Sequence, residues 1–224
     1  MNTLEEFLSV HDTVAREMTV QNRKYTFRVP LNIDRFIDAD DLKRNFPLWA
    51  RIWKASWILA DHLARMPLET GGSILEVGSG LGVASIVAAS IGHRVTMTEY
   101  DENALEFARA NAAVNGCHAL KIEKLDWHAQ SFEERFDTIV GSEVLYHERD
   151  FEALLALFSG FLKLDGQVIL TMKPRRSAIK FFNHAQKNFS ISMKKIQMKA
   201  VDEFTHVFLC RMVPWERDLK RQSI

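Results

Sequence analysis

Seven residues, Glu76-Val77-Gly78-Ser79-Gly80-Leu81-Gly82, constrain this chain more than any other stretch. They stand between the apolar run Ser73 to Val77 and the alanine-rich apolar run Val83 to Ser90. The first run reads as a short buried strand and the second as a helix. Glycines at alternate positions between them permit a sharp turn and an approach to a ligand that any Cβ would obstruct. A strand, a glycine turn and a helix open a doubly wound sheet, whose ligands lie beyond the carboxyl ends of its strands.

The alternation continues downstream. Residues 94–99, 119–125, 137–144 and 167–173 read as strands, the last entered by an Asp165-Gly166 turn. Helices are expected over 101–116, which starts acidic and ends in Gly116, over 149–163, and over 177–189. Two further strands, 190–199 and 206–213, are spaced for an antiparallel hairpin at the sheet edge. Upstream, apolar residues between Trp49 and Met66 recur at helical spacing until Pro67 stops them. The first 45 residues suggest a helix over 2–16 and a strand over 25–29 closed by Pro30. The fold class is therefore α/β: a Rossmann-like, doubly wound, seven-stranded sheet, mostly parallel with an antiparallel C-terminal hairpin. The domain reading is an extension (1–45), a catalytic-type domain (46–213) and a tail (214–224).

Carboxylates at strand ends narrow the ligand. Glu99 closes the second strand of the sheet, where such folds place an acid on ribose hydroxyls. Asp126 and Trp127 follow the third, offering an acceptor for an adenine amino group and a flat apolar face for its ring. A dinucleotide fold wants a third small residue in GxGxxG, and Val83 stands there instead. Glu76, expected at the mouth, would repel a pyrophosphate but suit a cationic amino acid moiety. These features fit S-adenosyl-L-methionine, a cation without phosphate, better than a nicotinamide dinucleotide.

With these residues in view, positions 46–212 resemble a class I (seven-β-strand) S-adenosylmethionine-dependent methyltransferase. Three segments carry a narrower resemblance: Trp49 to Ser56, the triplet Leu125-Asp126-Trp127, and Gly141 to Tyr146. They are similar to the methyltransferase family 16 group, which contains mostly protein N-lysine methyltransferases. Lys54 stands where that group usually has proline, and Glu143 where aspartate is common. The resemblance implies that Trp53, Glu76, Gly78, Ser79, Gly80, Gly82, Glu99, Tyr100, Asp126, Trp127 and Ser142 contact the cofactor, with S-adenosyl-L-homocysteine as product. It also implies that Glu143 and Tyr146 face the acceptor. Charge arguments agree with the last pair. Methyl transfer moves positive charge from sulfur to nitrogen, so a carboxylate beyond that nitrogen favours the transition state over the ground state. A tyrosine ring favours the growing ammonium as well.

Other chemistries find little support. The eight histidines show no metal-ligand spacing and no GxSxG is present. A nucleic-acid base methyltransferase would carry an Asn/Asp-Pro-Pro-aromatic tetrapeptide where this chain has Ser142 to Leu145, so nucleic acid is not the expected partner. The balance of 29 basic and 29 acidic residues conceals an asymmetry: from Thr171 onward there are 12 Lys and Arg against 4 Asp and Glu. Lys173, Arg175 and Arg176 in that part suit an acidic protein substrate or form an ordinary solvated turn. Two cysteines without a CxxC, and no basic leader or long apolar run, point to a cytoplasmic protein without a membrane partner. Two alternatives to protein-lysine methylation stay open on these residues: a small-molecule methyltransferase, and a non-catalytic S-adenosylmethionine-binding regulator.

Overall fold

The computed structural model describes residues 3–37, 46–68, 72–129, 134–199 and 204–215. It contains a seven-stranded sheet formed by β3 (Ser73–Glu76), β4 (Arg94–Glu99), β5 (Lys121–Lys124), β6 (Phe136–Ser142), β7 (Leu162–Met172), β8 (Phe189–Lys199) and β9 (Phe204–Pro214), in the order β5-β4-β3-β6-β7-β9-β8. The first five are mutually parallel, and β9 runs antiparallel to both neighbours. Both the expected fold class and the edge hairpin are present. The chain reverses its direction of winding at β3 and β6, which opens a crevice at their carboxyl ends.

Strand alternation distributes the core over two faces. Ile74, Val140 and Ile169 point to one face, where α2 (Lys54–Ala64), α3 (Val83–Ser90) and α4 (Glu102–Val114) supply Leu59, Leu63, Ile86, Val87 and Phe107. Leu75, Ile139, Val168 and Leu170 point to the other, against Leu154 and Phe158 of α5 (Phe151–Phe161) and Phe181 of α6 (Arg176–Ala185). Because both faces are covered, the central strands carry continuous apolar stretches: Ile74-Leu75, Ile139-Val140 and Val168-Ile169-Leu170.

The N-terminal region departs from expectation. Helix α1 spans only Leu4–Val10, opened by a capping box between Thr3 and Glu6. Residues 13–16 of the expected 2–16 helix belong instead to β1 (Thr13–Val20), which forms a hairpin with β2 (Arg23–Pro30), where the strand expected over 25–29 is found. Gln21 and Asn22 make the turn at φ values of 48° and 64°, the left-handed pair required by a tight two-residue hairpin. Met18, Val20, Tyr25 and Phe27 bury one face of the hairpin in the core. Asn111 of α4 and Asn115, which caps its C-terminus, pin it: they exchange hydrogen bonds with the backbone of Arg28 and Thr26 at 2.6–3.2 Å. Asn111 also donates to the Leu81 carbonyl at 3.1 Å, so hairpin, helix and glycine loop share one side chain.

Two boundaries also move. The helix expected from Trp49 begins at Lys54, after a short 3-10 turn over Leu48–Ala50. Asp165-Gly166 lies inside β7 instead of before it, absorbed where the register shifts from Phe136↔Leu162 to Thr138↔Gln167.

Candidate active site

The ends of β3 to β7 meet along one edge of the sheet. On the side expected to hold the methyl donor, Gly78, Gly80 and Gly82 all have positive φ (61°, 54° and 81°), which L-residues rarely adopt. Packing reinforces the requirement. A Cβ at Gly82 would lie 2.8 Å from Met97 Sδ, and one at Gly78 would lie 3.1 Å from Val144 and 3.2 Å from the Trp127 ring. The loop is fastened to β4: Ser79 N–H donates to the Thr98 carbonyl at 3.0 Å, and Gly80 N–H donates to Glu99 Oε2 at 2.8 Å. Glu99 Oε1 accepts from the N–H groups of Tyr100 and Asp101 at 2.7 and 3.3 Å. Burial pushes the Glu99 carboxyl up from its ordinary range, and the three backbone N–H groups work against that push. A carboxylate has about four acceptor positions, so room for a hydroxyl remains.

Glu76 is not at an open mouth. It is 1% exposed, and its Oε2 accepts from both the N–H and the hydroxyl of Ser85 in α3. Burial pushes its carboxyl up to about 7, and the nearby Glu99 adds to the shift. The reason is geometric: β3 ends at Glu76, so this side chain drops beneath the turn and braces the start of α3. Trp127 lies against Gly78, beside the loop. Asp126 spends one oxygen on the His128 N–H at 2.8 Å, closing the turn after β5. Trp53 caps α2, and Lys173 Nζ stands 5.9 Å from its ring, which joins this residue to the end of β7. Tyr100 is 59% exposed with Lys124 Nζ 5.6 Å from its ring, so in this state it faces outward rather than joining the others.

On the side expected to face the acceptor, Ser142 ends β6 and Glu143 follows it at φ 54°. A charged, non-glycine residue in left-handed conformation is strained, and such strain concentrates at functional sites. Glu143 is 4% exposed; its N–H donates to the Thr171 carbonyl at 2.8 Å, and its Oε1 accepts from the Lys173 N–H at 2.9 Å. Its Oε2 pairs with the Arg175 guanidinium, which stands 4.3 Å from the centre of the Tyr146 ring. Tyr146 Oη is buried with no hydrogen-bond partner. Burial and the neighbouring Glu143 push this phenol up, and Arg175 opposes them.

Two contributors escaped the sequence reading. Trp49 supplies the wall behind Gly80, 3.4 Å from where a Cβ would sit, and packs on Phe36 and Phe107. Arg175 was read only as a solvated or substrate-facing cation. Its partner lies 32 positions away in sequence, so no local pattern announces the pair.

The donor side fits S-adenosyl-L-methionine on its own features. Ser79 Oγ is buried without a partner in the middle of the loop. Beside it lie the spare acceptor position of Glu99 and the flat face of Trp127, groups suited to a ribose and an adenine. Among the described residues no cluster of His, Cys, Asp and Glu could hold a metal ion, and no helix is long and apolar enough to cross a membrane.

Comparison with known proteins gives a consistent picture. Residues 41–195 match the family model described as lysine methyltransferase. The chain is 32% identical over 133 residues to the protein N-lysine methyltransferase METTL21A of Xenopus tropicalis, covering 56% of this chain and 61% of that one. It is 30% identical over 132 residues to EEF1A lysine methyltransferase 3 of Mus musculus, covering 56% of each. Each match thus spans less than two thirds of the relative. Among solved structures, the ribosomal protein L11 methylase of Lactobacillus delbrueckii subsp. bulgaricus superposes with a TM-score of 0.51 at 25% identity, over 70% of this chain and 75% of that one.

Proposed function

Since this chain belongs to the lysine methyltransferase family, we propose that it transfers a methyl group from S-adenosyl-L-methionine to the side-chain nitrogen of a lysine in a protein substrate. The observation that best supports this reading is Glu143, a buried carboxylate in left-handed backbone conformation beside the Tyr146 ring and across the crevice from the glycine loop.

When bound, S-adenosyl-L-methionine supplies an electrophilic methyl group on a sulfonium sulfur. The Gly78–Gly82 loop, Ser79, Glu99, Trp127 and Trp53 hold and orient the cofactor, with S-adenosyl-L-homocysteine left after transfer. Glu76 sits one layer deeper and keeps the loop in shape through Ser85. Glu143 faces the acceptor nitrogen, whose positive charge grows in the transition state, and a fixed buried carboxylate favours that growth. Tyr146 offers its ring to the same charge and its unpartnered hydroxyl to the amine. A lysine ammonium must lose a proton before it can attack. Desolvation in this crevice promotes that loss, and Glu143 can accept a hydrogen bond from water carrying the proton away. Lys173, Arg175 and the exposed Arg176 place three cations at the rim, which suits an acidic protein surface.

Incubation of a cell lysate with the protein and methyl-labelled cofactor tests the reading. Label should enter protein, and mass spectrometry should map it to lysine. Label confined to small molecules, carried on another residue type, or absent would overturn it.

A further inference from the structure

The two groups that suit an acceptor ammonium are already occupied by a cation of the protein itself. Glu143 Oε2 pairs with Arg175, and the same guanidinium lies 4.3 Å from the centre of the Tyr146 ring. We propose that Arg175 is a displaceable stand-in for the acceptor: it closes the Glu143–Tyr146 seat, and an entering alkylammonium expels it. This rests on the lysine reading above and adds a gate to it.

The two hydrogen bonds to Glu143 differ in kind. The one from Lys173 comes from backbone just past the end of β7, where the main chain is anchored by the strand. The one from Arg175 comes from a flexible side chain, 23% exposed, on the residue just before α6. Rotation about its own side-chain bonds carries it to solvent. Arg175 lies close enough to the Tyr146 hydroxyl to act on it yet makes no well-formed hydrogen bond to it, so the guanidinium fills the seat incompletely. A primary ammonium is compact and carries three donors, enough for the carboxylate and the hydroxyl together. Withdrawal is also required electrostatically. A guanidinium left on Glu143 would cancel the negative potential that distinguishes the charged transition state from the neutral amine. Arg175 thus spares Glu143 the cost of standing buried and unpaired, and sets a threshold that a substrate must exceed.

The test uses n-butylammonium as a probe of the lysine side chain. It is titrated into the full chain in the presence of S-adenosylhomocysteine and followed through the backbone amide signals of Ser142, Glu143 and Val144. Removing the competitor by Arg175→Gln should tighten binding roughly tenfold, because the apparent affinity no longer carries the cost of opening the seat. Unchanged or weaker binding in that variant overturns the proposal. If Arg175→Gln fails to fold, Arg175→Ala also withdraws the guanidinium and leaves no donor in its place. That variant should likewise bind the probe roughly tenfold more tightly than wild type, and no gain there overturns the proposal equally. The gate and the activity fail separately. A tighter probe with no methyl transfer to any protein would leave the gate standing and remove the lysine reading. Transfer to protein lysine with no tightening would do the reverse.

Discussion

The donor-side and acceptor-side carboxylates are satisfied by different means. Glu99 takes three hydrogen bonds from backbone N–H groups, those of Gly80, Tyr100 and Asp101. Glu143 takes one from backbone and one from a side chain that can leave. Backbone donors are fixed by the fold and cost nothing to reorganise when a ligand arrives, so the donor side is built before it is used. A side-chain partner can be exchanged, so on the proposed reading Glu143 gains selectivity at the expense of an opening step. The contrast would place rigidity where the cofactor is held and exchange where the substrate is recognised.

The largest effect expected along this divide comes from Glu143→Gln. It keeps the volume and removes the charge, so turnover on the labelled protein substrate should fall roughly 10²–10³-fold, with cofactor affinity changed only a few-fold. Loss of cofactor affinity with turnover retained at saturating cofactor would merge the two sides and end the division.

Next in size is Glu99→Ala. It removes the acceptor of Gly80 N–H as well as the expected ribose contact. Calorimetry with S-adenosyl-L-homocysteine should show affinity weakened roughly 10–100-fold, the worth of one or two charge-assisted bonds. Folding stability should fall by about 1–3 kcal/mol in the same variant, since buried backbone donors lose their partner. Full affinity would show that Glu99 serves the loop alone.

A smaller, pH-dependent effect belongs to Glu76. Its folded carboxyl is raised from 4.5 to about 7, so the folded state holds this proton more tightly than the unfolded chain does. The resulting stabilisation is fully present below pH 4.5, declines as pH rises, and is gone above about 7. Chemical denaturation at pH 5 and pH 7.5 should therefore show a loss in wild type that Glu76→Gln reduces. An identical loss in both proteins would place the titration elsewhere.

The smallest change should be Tyr146→Phe. Its hydroxyl makes no well-formed hydrogen bond within the protein, so thermal stability should stay equal to wild type or rise slightly. Turnover should fall by less than in Glu143→Gln, because the ring remains. A large loss of stability would mean that the hydroxyl has a structural partner, and the seat would then be described wrongly.

Much of this architecture follows from local pattern. The run Ser73 to Ser90 specified strand, turn and helix, because buried strands are apolar and only glycine tolerates three positive φ values in five residues. Strand-end acids such as Glu99 were readable too, because doubly wound topology brings every carboxyl end to one edge. The β1–β2 hairpin was not readable in the same way. Its turn is Gln21-Asn22 instead of a glycine pair, and the asparagines that anchor it lie more than 80 positions away. Glu76 shows the limit at a single residue: its identity marked the motif, but its direction, down onto Ser85, was set by where β3 ends against α3. Arg175 shows the same for the acceptor seat. Residue types and their order along the chain determined which groups this protein owns. Only tertiary structure decided which of them pair, because parallel strands bring together the ends of segments that are far apart in sequence.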